Sequence, residues 1–250
     1  MSAPQGEQAP AVKNPVMKHC FLSHVLTETT PLFGGSGVIA LKQERSIVRG
    51  DSANSSSLAF PAHVGTHVDA PHHFDPNGAT LDQYPPGFWI CRRPFVSEVT
   101  AEPGELITVS KLEPALRRMP AGSDLLLLRT GFEQFRNAIH MHTYIFEGPG
   151  IVPEVGIWLR ETYRLKMIGF DFLSLSSYCH REPGRQAHRA FLLQGGAYGG
   201  MNLSGNPILI IEDMHLEGIA RKMNSVIVAP LRYAMADGAP VTVIGTSGSA

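Results

Sequence analysis

The sequence predicts a single mixed α/β domain whose strands form a central sheet or partial barrel. Its 250 residues lie near the upper end of what one hydrophobic core can serve, so we expect one large domain and not two. Hydrophobic residues make up 43% of the chain and charged residues 17%, a globular balance that argues against wholesale disorder. Stretches that suit strands outnumber those that suit helices, which puts a sheet at the centre.

Apolar stretches rich in β-branched residues predict the strands. They cover residues 37–41, 125–129, 167–170, 207–211 and 225–231. Apolar residues at helical spacing predict helices over 111–119, 153–165 and 184–193. The second helix has the clearest pattern, because Pro153 suits a first turn and Val155 and Leu159 lie one helical turn apart.

The charge balance excludes several classes of partner. With 21 basic against 22 acidic residues the net charge is -1, so there is no basic footprint for nucleic acid and no polybasic membrane anchor. The sequence also contains no run of about 18 apolar residues, the length that a transmembrane helix needs. We therefore expect a small-molecule substrate, with neither nucleic acid nor membrane as a partner.

The termini and cysteines bear on location. Residues 1–14 are rich in Ala, Pro, Gln and Gly and lack an apolar core, so they predict a disordered tail and not a signal peptide, ahead of a domain over 15–250. Cys20, Cys91 and Cys179 are odd in number and form no CxxC pair. That pattern favours reduced thiols in the cytoplasm, and we expect them to be buried and inert.

Histidines cluster in one segment of the chain. Four of the eleven histidines occur within residues 63–73, and residues 63–74 read HVGTHVDAPHHF. Imidazole and carboxylate together form a ligand set favoured by Zn²⁺, Mn²⁺ and Fe²⁺. A metal site is therefore the first hypothesis, although a tract of surface histidines or satisfied core histidines would show the same residue types.

The spacing of this segment tests the metal hypothesis. In an extended chain His67 and Asp69 share a face roughly 6.6 Å apart, close enough to share an ion. His63 and His67 would lie roughly 13 Å apart, too far for shared ligation. The chain must therefore bend between them, and Gly65 is where a bend is least costly.

The ordered segment HxGTHxDxPxH resembles the signature of the cyclase-like metal-dependent hydrolases, which include bacterial kynurenine formamidase and isatin hydrolase. The resemblance extends over most of the chain. Residues 127–132, LLRTGF, are similar to the family's LLRTGW segment, and further counterparts lie at residues 21–24, 31–33, 146–150, 210–212 and 236–241. It implies a compact α/β fold with a central β-rich, barrel-like layer, and a homo-oligomer, either a dimer or a tetramer.

The resemblance also implies a ligand set. His63, His67 and Asp69 correspond to residues that bind a divalent metal. In the formamidase branch, the residue that corresponds to Asp69 also bridges a second ion. The other ligands of that ion are a downstream histidine and a glutamate, which His188 and Glu212 match best in this sequence. Without the resemblance, His188 reads as a solvent-facing helical residue and Glu212 as a charge that ends a buried strand. Zn²⁺ and Mn²⁺ accept similar ligands, so the metal and the number of ions, one or two, stay open.

Further correspondences point to the reaction. The resemblance implies that His73 is the catalytic acid/base, and Phe33 stands where the formamidases commonly place a substrate-contacting Trp. The Gly-rich stretch 194–205 is longer than in the formamidases and has no assigned role. These features predict hydrolysis of a small aryl formamide, cyclic amide or lactone by water that a metal activates.

Two other functions fit the same residues. One is a metal-dependent cyclase or dehydratase acting on a small organic acid, with His73 abstracting a proton. The other is a non-catalytic binding protein in which the metal only staples the fold; such structural sites usually have four protein ligands and no open position. No phosphate loop, nucleophile elbow or dinucleotide fingerprint occurs in the sequence.

Overall fold

The structure is a computed structural model that describes residues 17–198 and 201–248. Its strands are β1 Met17–Phe21, β2 Ala40–Arg45, β3 Ser55–Ala59, β4 His67–Asp69, β5 Ile90–Cys91, β6 Pro94–Glu98, β7 Leu106–Ile107, β8 Leu125–Arg129, β9 Gly150–Ile151, β10 Met167–Phe170, β11 Gly196–Tyr198, β12 Met201–Leu203, β13 Leu209–Glu212, β14 Ser225–Pro230 and β15 Gly238–Gly248. Its α-helices are α1 Val109–Leu116, α2 Met141–Phe146, α3 Pro153–Thr162 and α4 Arg181–Leu192.

One large sheet organises the fold. Its strands run in the order β5-β14-β15-β4-β13-β10-β8-β6, and β1 adds to β15. The strands from β13 to β6 are parallel, whereas β4, β15, β14, β5 and β1 pair antiparallel. The domain is thus mixed α/β with a barrel-like sheet flanked by helices, which confirms the predicted fold class.

The parallel strands are buried on both faces. In β8, Leu126 and Leu128 enter one hydrophobic cluster while Leu125 and Leu127 enter another. Helices α1, α3 and α4 cover the first cluster, and the antiparallel strands β4, β14 and β15 close over the second. Continuous apolar runs are typical of strands covered on both faces, which is why β8 and β10 could be recognised in the sequence.

Most predicted elements match, with shifted ends. Strands β8 and β10 have the predicted bounds, and β13, β14 and the three helices overlap their predictions. The strand expected at 37–41 instead covers Ala40–Arg45, because it pairs with β3 in an exposed hairpin where no apolar pattern marks it. Helix α4 begins at Arg181, three residues before its predicted start; Pro183 is tolerated there because the first turn needs no main-chain donors.

Other expectations fall partly outside this description. The tail predicted over residues 1–14 lies outside the described residues, as do Gly199 and Gly200 of the Gly-rich stretch. All three cysteines are free thiols; Cys91 is buried, Cys20 is half-buried and Cys179 is exposed, so the expectation of burial is confirmed for Cys91 and wrong for Cys179. Within the described ranges, no helix combines the length and apolar character needed to cross a bilayer.

Candidate metal centre

A bend at Gly65 brings the first two histidines together. Gly65 has φ +57°, a left-handed conformation that glycine adopts without strain. The ring centroids of His63 and His67 are consequently only 5.3 Å apart, far closer than an extended chain allows. The predicted bend is confirmed, and strand β4 begins directly after it at His67.

Strand pairing brings a second carboxylate to β4. In the antiparallel register of β4 with β13, Glu212 lies opposite His67. The His67 Nε2 atom is 3.4 Å from Glu212 Oε2 and 3.4 Å from Asp69 Oδ1. Glu212 is buried and accepts hydrogen bonds from the Leu175 main-chain N–H at 2.6 Å and the Ser174 hydroxyl at 3.1 Å. These donors fix the carboxylate in the centre.

Helix α4 supplies the last of the predicted ligands. A Cβ on Gly184 would lie 2.2 Å from Ser176 Oγ, so only glycine lets the helix approach this closely. One turn later, His188 Nε2 lies 3.5 Å from Asp69 Oδ2 and 3.4 Å from Glu212 Oε1. The structure therefore brings His188 and Glu212 to Asp69, as the resemblance implied, and buries both.

The donor atoms form two groups that share Asp69. His67, Asp69 and Glu212 offer ligand atoms within 4.8 Å of one another, and so do His63, Asp69 and His73. Two ligands held about 2.1 Å from a tetrahedral zinc ion are themselves about 3.4 Å apart. The separations of His67 Nε2 from Asp69 and Glu212 match this value.

The hydrogen bonds of the two buried imidazoles leave their inner nitrogens free for a cation. His67 Nδ1 donates to the Gly65 carbonyl at 2.8 Å, and His188 Nδ1 donates to the Gly184 carbonyl at 2.9 Å. A carbonyl only accepts, so each Nδ1 carries a proton and Nε2 is the nitrogen left to bind a metal. Each Nε2 faces oxygens of Asp69 and Glu212, and a cation there is either a proton or a metal ion. A divalent metal that displaces the protons would have two imidazole nitrogens and two carboxylates around it.

The carboxylates and imidazoles of this centre shift one another's pKa. Burial and the nearby Asp69 raise the pKa of Glu212, but contacts with His188 and His67 outweigh them and lower it to about 2. Burial lowers the pKa of His188, yet hydrogen bonds to Asp69 and Glu212 raise it to about 10. The lowered pKa of Glu212 and the raised pKa of His188 both indicate that the two buried carboxylates, Asp69 and Glu212, stabilise positive charge between these side chains.

His63 occupies the edge of the centre. Its Nδ1 is 2.8 Å from Asp69 Oδ1 and its Nε2 is 3.0 Å from Asp237 Oδ2. Burial lowers the pKa of His63, but these two carboxylates raise it to about 9. Both ring nitrogens thus face carboxylates, and the ligand role of His63 stays a prediction.

His73 lies beside the ligand groups. The 3-10 turn Pro71–His73 places its ring 3.9 Å from that of His63, in a stacked arrangement, with Nδ1 3.4 Å from Asp237 Oδ2. Burial lowers the pKa of His73; Asp69 opposes this shift, while His63 adds to it. A neutral imidazole next to a metal centre can accept a proton, which is the capacity that its predicted role needs.

Asp237 is a site residue to which the sequence analysis gave no role. It immediately precedes β15, which pairs with β4 so that Gly238 lies opposite Asp69. Its carboxylate reaches both His63 and His73. The only sequence signal was its place in the resembling block at 236–241, which marked the segment and not the residue's contacts.

An open cavity of about 510 Å³ leads to the centre. Phe33 lines it, half-exposed, and meets the ring of Tyr178 edge-on at 5.6 Å. The Arg181 guanidinium lies 4.0 Å from the Tyr178 ring centroid, and Arg185 lines the same cavity. The predicted metal ligands therefore lie in a pocket with an aromatic wall and two cationic side chains.

The fold and this site define an α/β protein with a histidine–carboxylate metal centre, and comparison with known proteins gives its family. A family model described as "Putative cyclase" matches residues 21–177, more than half of the chain, so the chain belongs to the Cyclase family. Cyclase-like protein 2 of Oryza sativa subsp. japonica is 29% identical over 235 residues, covering 89% of this chain and 77% of that protein. Cyclase-like protein 1 of Arabidopsis thaliana is 26% identical, covering 89% and 82%.

Solved structures share the fold. Isatin hydrolase A from Labrenzia aggregata, bound to benzyl benzoate, matches with a TM-score of 0.74 and 20% identity, covering 93% of this chain and 94% of that one. An isatin hydrolase bound to the product analogue thioisatinate matches with a TM-score of 0.75 and 17% identity, covering 93% of both chains. Membership of the cyclase-like family, predicted from the segment at 63–73, is confirmed.

Proposed function

We propose that this chain is a metal-dependent hydrolase that opens a small cyclic amide, or cleaves an aryl formamide or lactone. One observation carries the proposal: five predicted ligands, contributed by three separate parts of the chain, converge at the inner end of a cavity that also holds His73. A structural staple closes its coordination shell, whereas this centre opens onto the cavity. The open side supports catalysis over a purely structural role.

The residues that would hold the metal are His67, Asp69, Glu212 and His188, with His63 at the edge. Asp69 has two carboxylate oxygens, with Oδ1 near His63 and His67 and Oδ2 near His188, so it could hold two ions as well as one. The ligand chemistry suits Zn²⁺ or Mn²⁺. When bound, such an ion supplies Lewis acidity, lowering the pKa of water and polarising a carbonyl oxygen.

His73 would move the proton. With its Nδ1 directed at the Asp237 carboxylate, Nε2 is the nitrogen that can accept a proton from the attacking water. The same nitrogen can return the proton to the departing amine, which is a poor leaving group as an anion. Stacking on His63 and contact with the edge of Phe74 hold the ring in place.

The cavity supports an aromatic substrate. Phe33 and Tyr178 form an aromatic wall in the same cavity as the predicted ligands. Aromatic rings favour edge-to-face or offset contacts, so a flat ring can bind against this wall with its amide towards the metal ligands. Similarity to isatin hydrolases, one of them bound to thioisatinate, supports a cyclic aromatic amide as the first substrate to test.

An activity panel tests the proposal. The full chain, loaded in turn with Zn²⁺ and Mn²⁺, is assayed on isatin, an N-formyl aromatic amine and an aromatic lactone. We expect hydrolysis of at least one, lost in the Asp69→Asn variant. Correctly metallated protein that hydrolyses none of the three would contradict the proposal.

A second candidate is a cyclase or dehydratase acting on a small organic acid. The specific observation in its favour is that Arg181 and Arg185 line the cavity, since guanidinium groups bind carboxylates. Adding hydroxy acids to the same panel separates the two functions. Dehydration or cyclisation of a hydroxy acid, with no hydrolysis of the amides or the lactone, would favour this second candidate.

We also propose that the chain forms a homo-oligomer and works in the cytoplasm. The hairpin of β2 and β3 supports the first point, because Val48 at its tip is 96% exposed and Leu58 is 63% exposed. A second copy could cover these apolar side chains. Sedimentation equilibrium should give a dimer or tetramer, and a monomeric mass at working concentration would contradict it. Fractionation of the producing cells tests the location.

A further inference from the structure

Outside the catalytic cavity, a second histidine–carboxylate cluster joins three separate segments. His24 follows β1, Glu133 lies in the 3-10 turn Phe132–Phe135 after β8, and His215 follows β13. One ligand atom from each lies within 4.8 Å of the others. None of the three lines the cavity described above. The cluster therefore has no part in the proposed reaction.

Glu133 is oriented by the main chain. Its carboxylate is buried, and Oε2 accepts hydrogen bonds from the N–H groups of Leu216 at 2.8 Å and Glu217 at 2.9 Å. These two bonds fix the rotation of the carboxylate and leave Oε1 directed at the imidazoles. Outer contacts of this kind are typical of carboxylates that bind metals.

His24 presents a buried nitrogen that lacks a hydrogen bond. Within residues 17–198 and 201–248, His24 Nε2 has no hydrogen-bond partner, although it lies 3.4 Å from Glu133 Oε1. An uncompensated buried nitrogen is unfavourable unless something binds it.

His215 opens the cluster to solvent. Its Nδ1 contacts Glu133 Oε1, and its ring centroid is 5.2 Å from that of His24. The side chain is 43% exposed, which gives an ion a path from solvent. Its main-chain N–H donates to the Leu22 carbonyl at 3.1 Å, so the position of the residue is fixed by the same sheet edge that carries His24.

We propose that His24, Glu133 and His215 bind a divalent transition-metal ion of the Zn²⁺ class at a site separate from the catalytic centre. Two imidazoles and one carboxylate are a zinc ligand set, and water completes the tetrahedral shell. The 3.4 Å separation between His24 Nε2 and Glu133 Oε1 matches ligands that are each about 2.1 Å from zinc. The ion would join the segment after β1 to the turn after β8 and the loop after β13.

The bound ion would act on stability. It would connect residues far apart in sequence, and a ligand that binds only the folded state raises the unfolding midpoint. The alternative is that the three side chains form only a hydrogen-bonded histidine–glutamate cluster. That alternative predicts no ion at this position and no change in zinc content when a member is replaced.

Zinc stoichiometry separates these outcomes. The full chain is dialysed against a defined concentration of free Zn²⁺, and bound zinc is measured by elemental analysis in wild type, His215→Ala and Glu133→Gln. The matched control is His142→Ala, which removes an exposed histidine that also lies near a glutamate, Glu147, at 3.6 Å. We expect each cluster variant to hold about one ion fewer per chain than wild type and the control to hold the same number. Equal zinc in all four proteins would overturn the proposal.

A crystallographic measurement guards against misfolded variants. Wild-type crystals equilibrated with Zn²⁺ and measured on either side of the zinc edge should show an anomalous peak between His24, Glu133 and His215. Because this peak is distinct from any at Asp69, failure of this site and failure of the proposed hydrolase centre can be told apart. A map with zinc at Asp69 and none at the cluster would overturn the inference even if both variants failed to fold.

Discussion

His67 and His188, on the buried side of the metal centre, donate from Nδ1 to main-chain carbonyls, whereas the ring nitrogens of His63 and His73 on the cavity side face carboxylate side chains. A main-chain carbonyl accepts a hydrogen bond from Nδ1 whether the imidazole is neutral or charged, so it fixes both the tautomer and the rotation of the ring. A carboxylate such as Asp237 interacts differently with neutral and charged imidazole. The buried side is therefore built to hold a cation, and the cavity side can change its protonation.

Burial reinforces this difference. His67 and His188 are almost inaccessible, whereas the His63 and His73 side chains keep 25% and 29% of their exposure. Water therefore reaches the cavity side more readily, and that is where a proton has to be exchanged with solvent or substrate. Asp69 is common to both sides, so its replacement should disturb the centre more than any other single change.

The largest effect is expected for Asp69→Asn. An amide keeps the shape but removes the charge that both donor groups share. We expect metal affinity to fall more than the roughly 10- to 100-fold typical of outer contacts, and activity to disappear with it. Metal content by elemental analysis is the measurement, with Asp75→Asn as the control, because Asp75 is a half-buried loop carboxylate near His73 in sequence that lies outside the predicted ligand set. Full metal occupancy in Asp69→Asn would contradict the assignment.

His73→Ala should separate chemistry from metal binding. Loss of a general acid/base lowers kcat by about 10²- to 10⁴-fold, and the buried ligands stay in place. We expect unchanged metal content together with this loss of turnover. Near-normal kcat on a substrate of the wild type would remove His73 from the mechanism, while a parallel loss of metal would make it a ligand.

The difference between the two sides also explains what the sequence could predict. The spacing of His63, His67 and Asp69 lies within one short segment, so local geometry was enough to place the bend at Gly65. Glu212 reaches the site only through the register of β13 on β4. No local pattern encodes that pairing, and the residue was found through the family resemblance alone.

Asp237 is a site residue that neither local sequence patterns nor the family resemblance identified. It reaches the site because β15 pairs with β4 after more than 160 residues of intervening chain. Strand β15 is rich in Gly, Thr and Ser, so neither alternation nor an apolar run marked it in advance. The resemblance of residues 236–241 to the family identified the segment but not the side chain in it that contacts His73.

Asp237→Asn should have an intermediate effect. Its carboxylate orients His73 and raises the pKa of that ring, so the amide lowers this pKa. Because the base must be unprotonated, the acid limb of the kcat/KM profile should move to lower pH, and kcat should fall about 10- to 100-fold with metal content unchanged. A profile that keeps its acid limb while activity falls would indicate a purely structural role.

The smallest effect is expected for Phe33→Ala, which touches neither side of the centre. Phe33 contributes an aromatic face to the cavity wall beside Tyr178. Its loss therefore removes contacts that stabilise the bound substrate and the transition state equally. Aromatic contacts are worth about 1 kcal/mol, which corresponds to a KM roughly 5-fold higher for an aromatic substrate with kcat little changed. Phe33→Trp keeps an aromatic face and should retain a KM near that of the wild type. A fall in kcat with an unaltered KM in Phe33→Ala would instead mean that this aromatic wall positions the reacting bond. Phe33 would then contribute to the chemical step and not only to substrate binding.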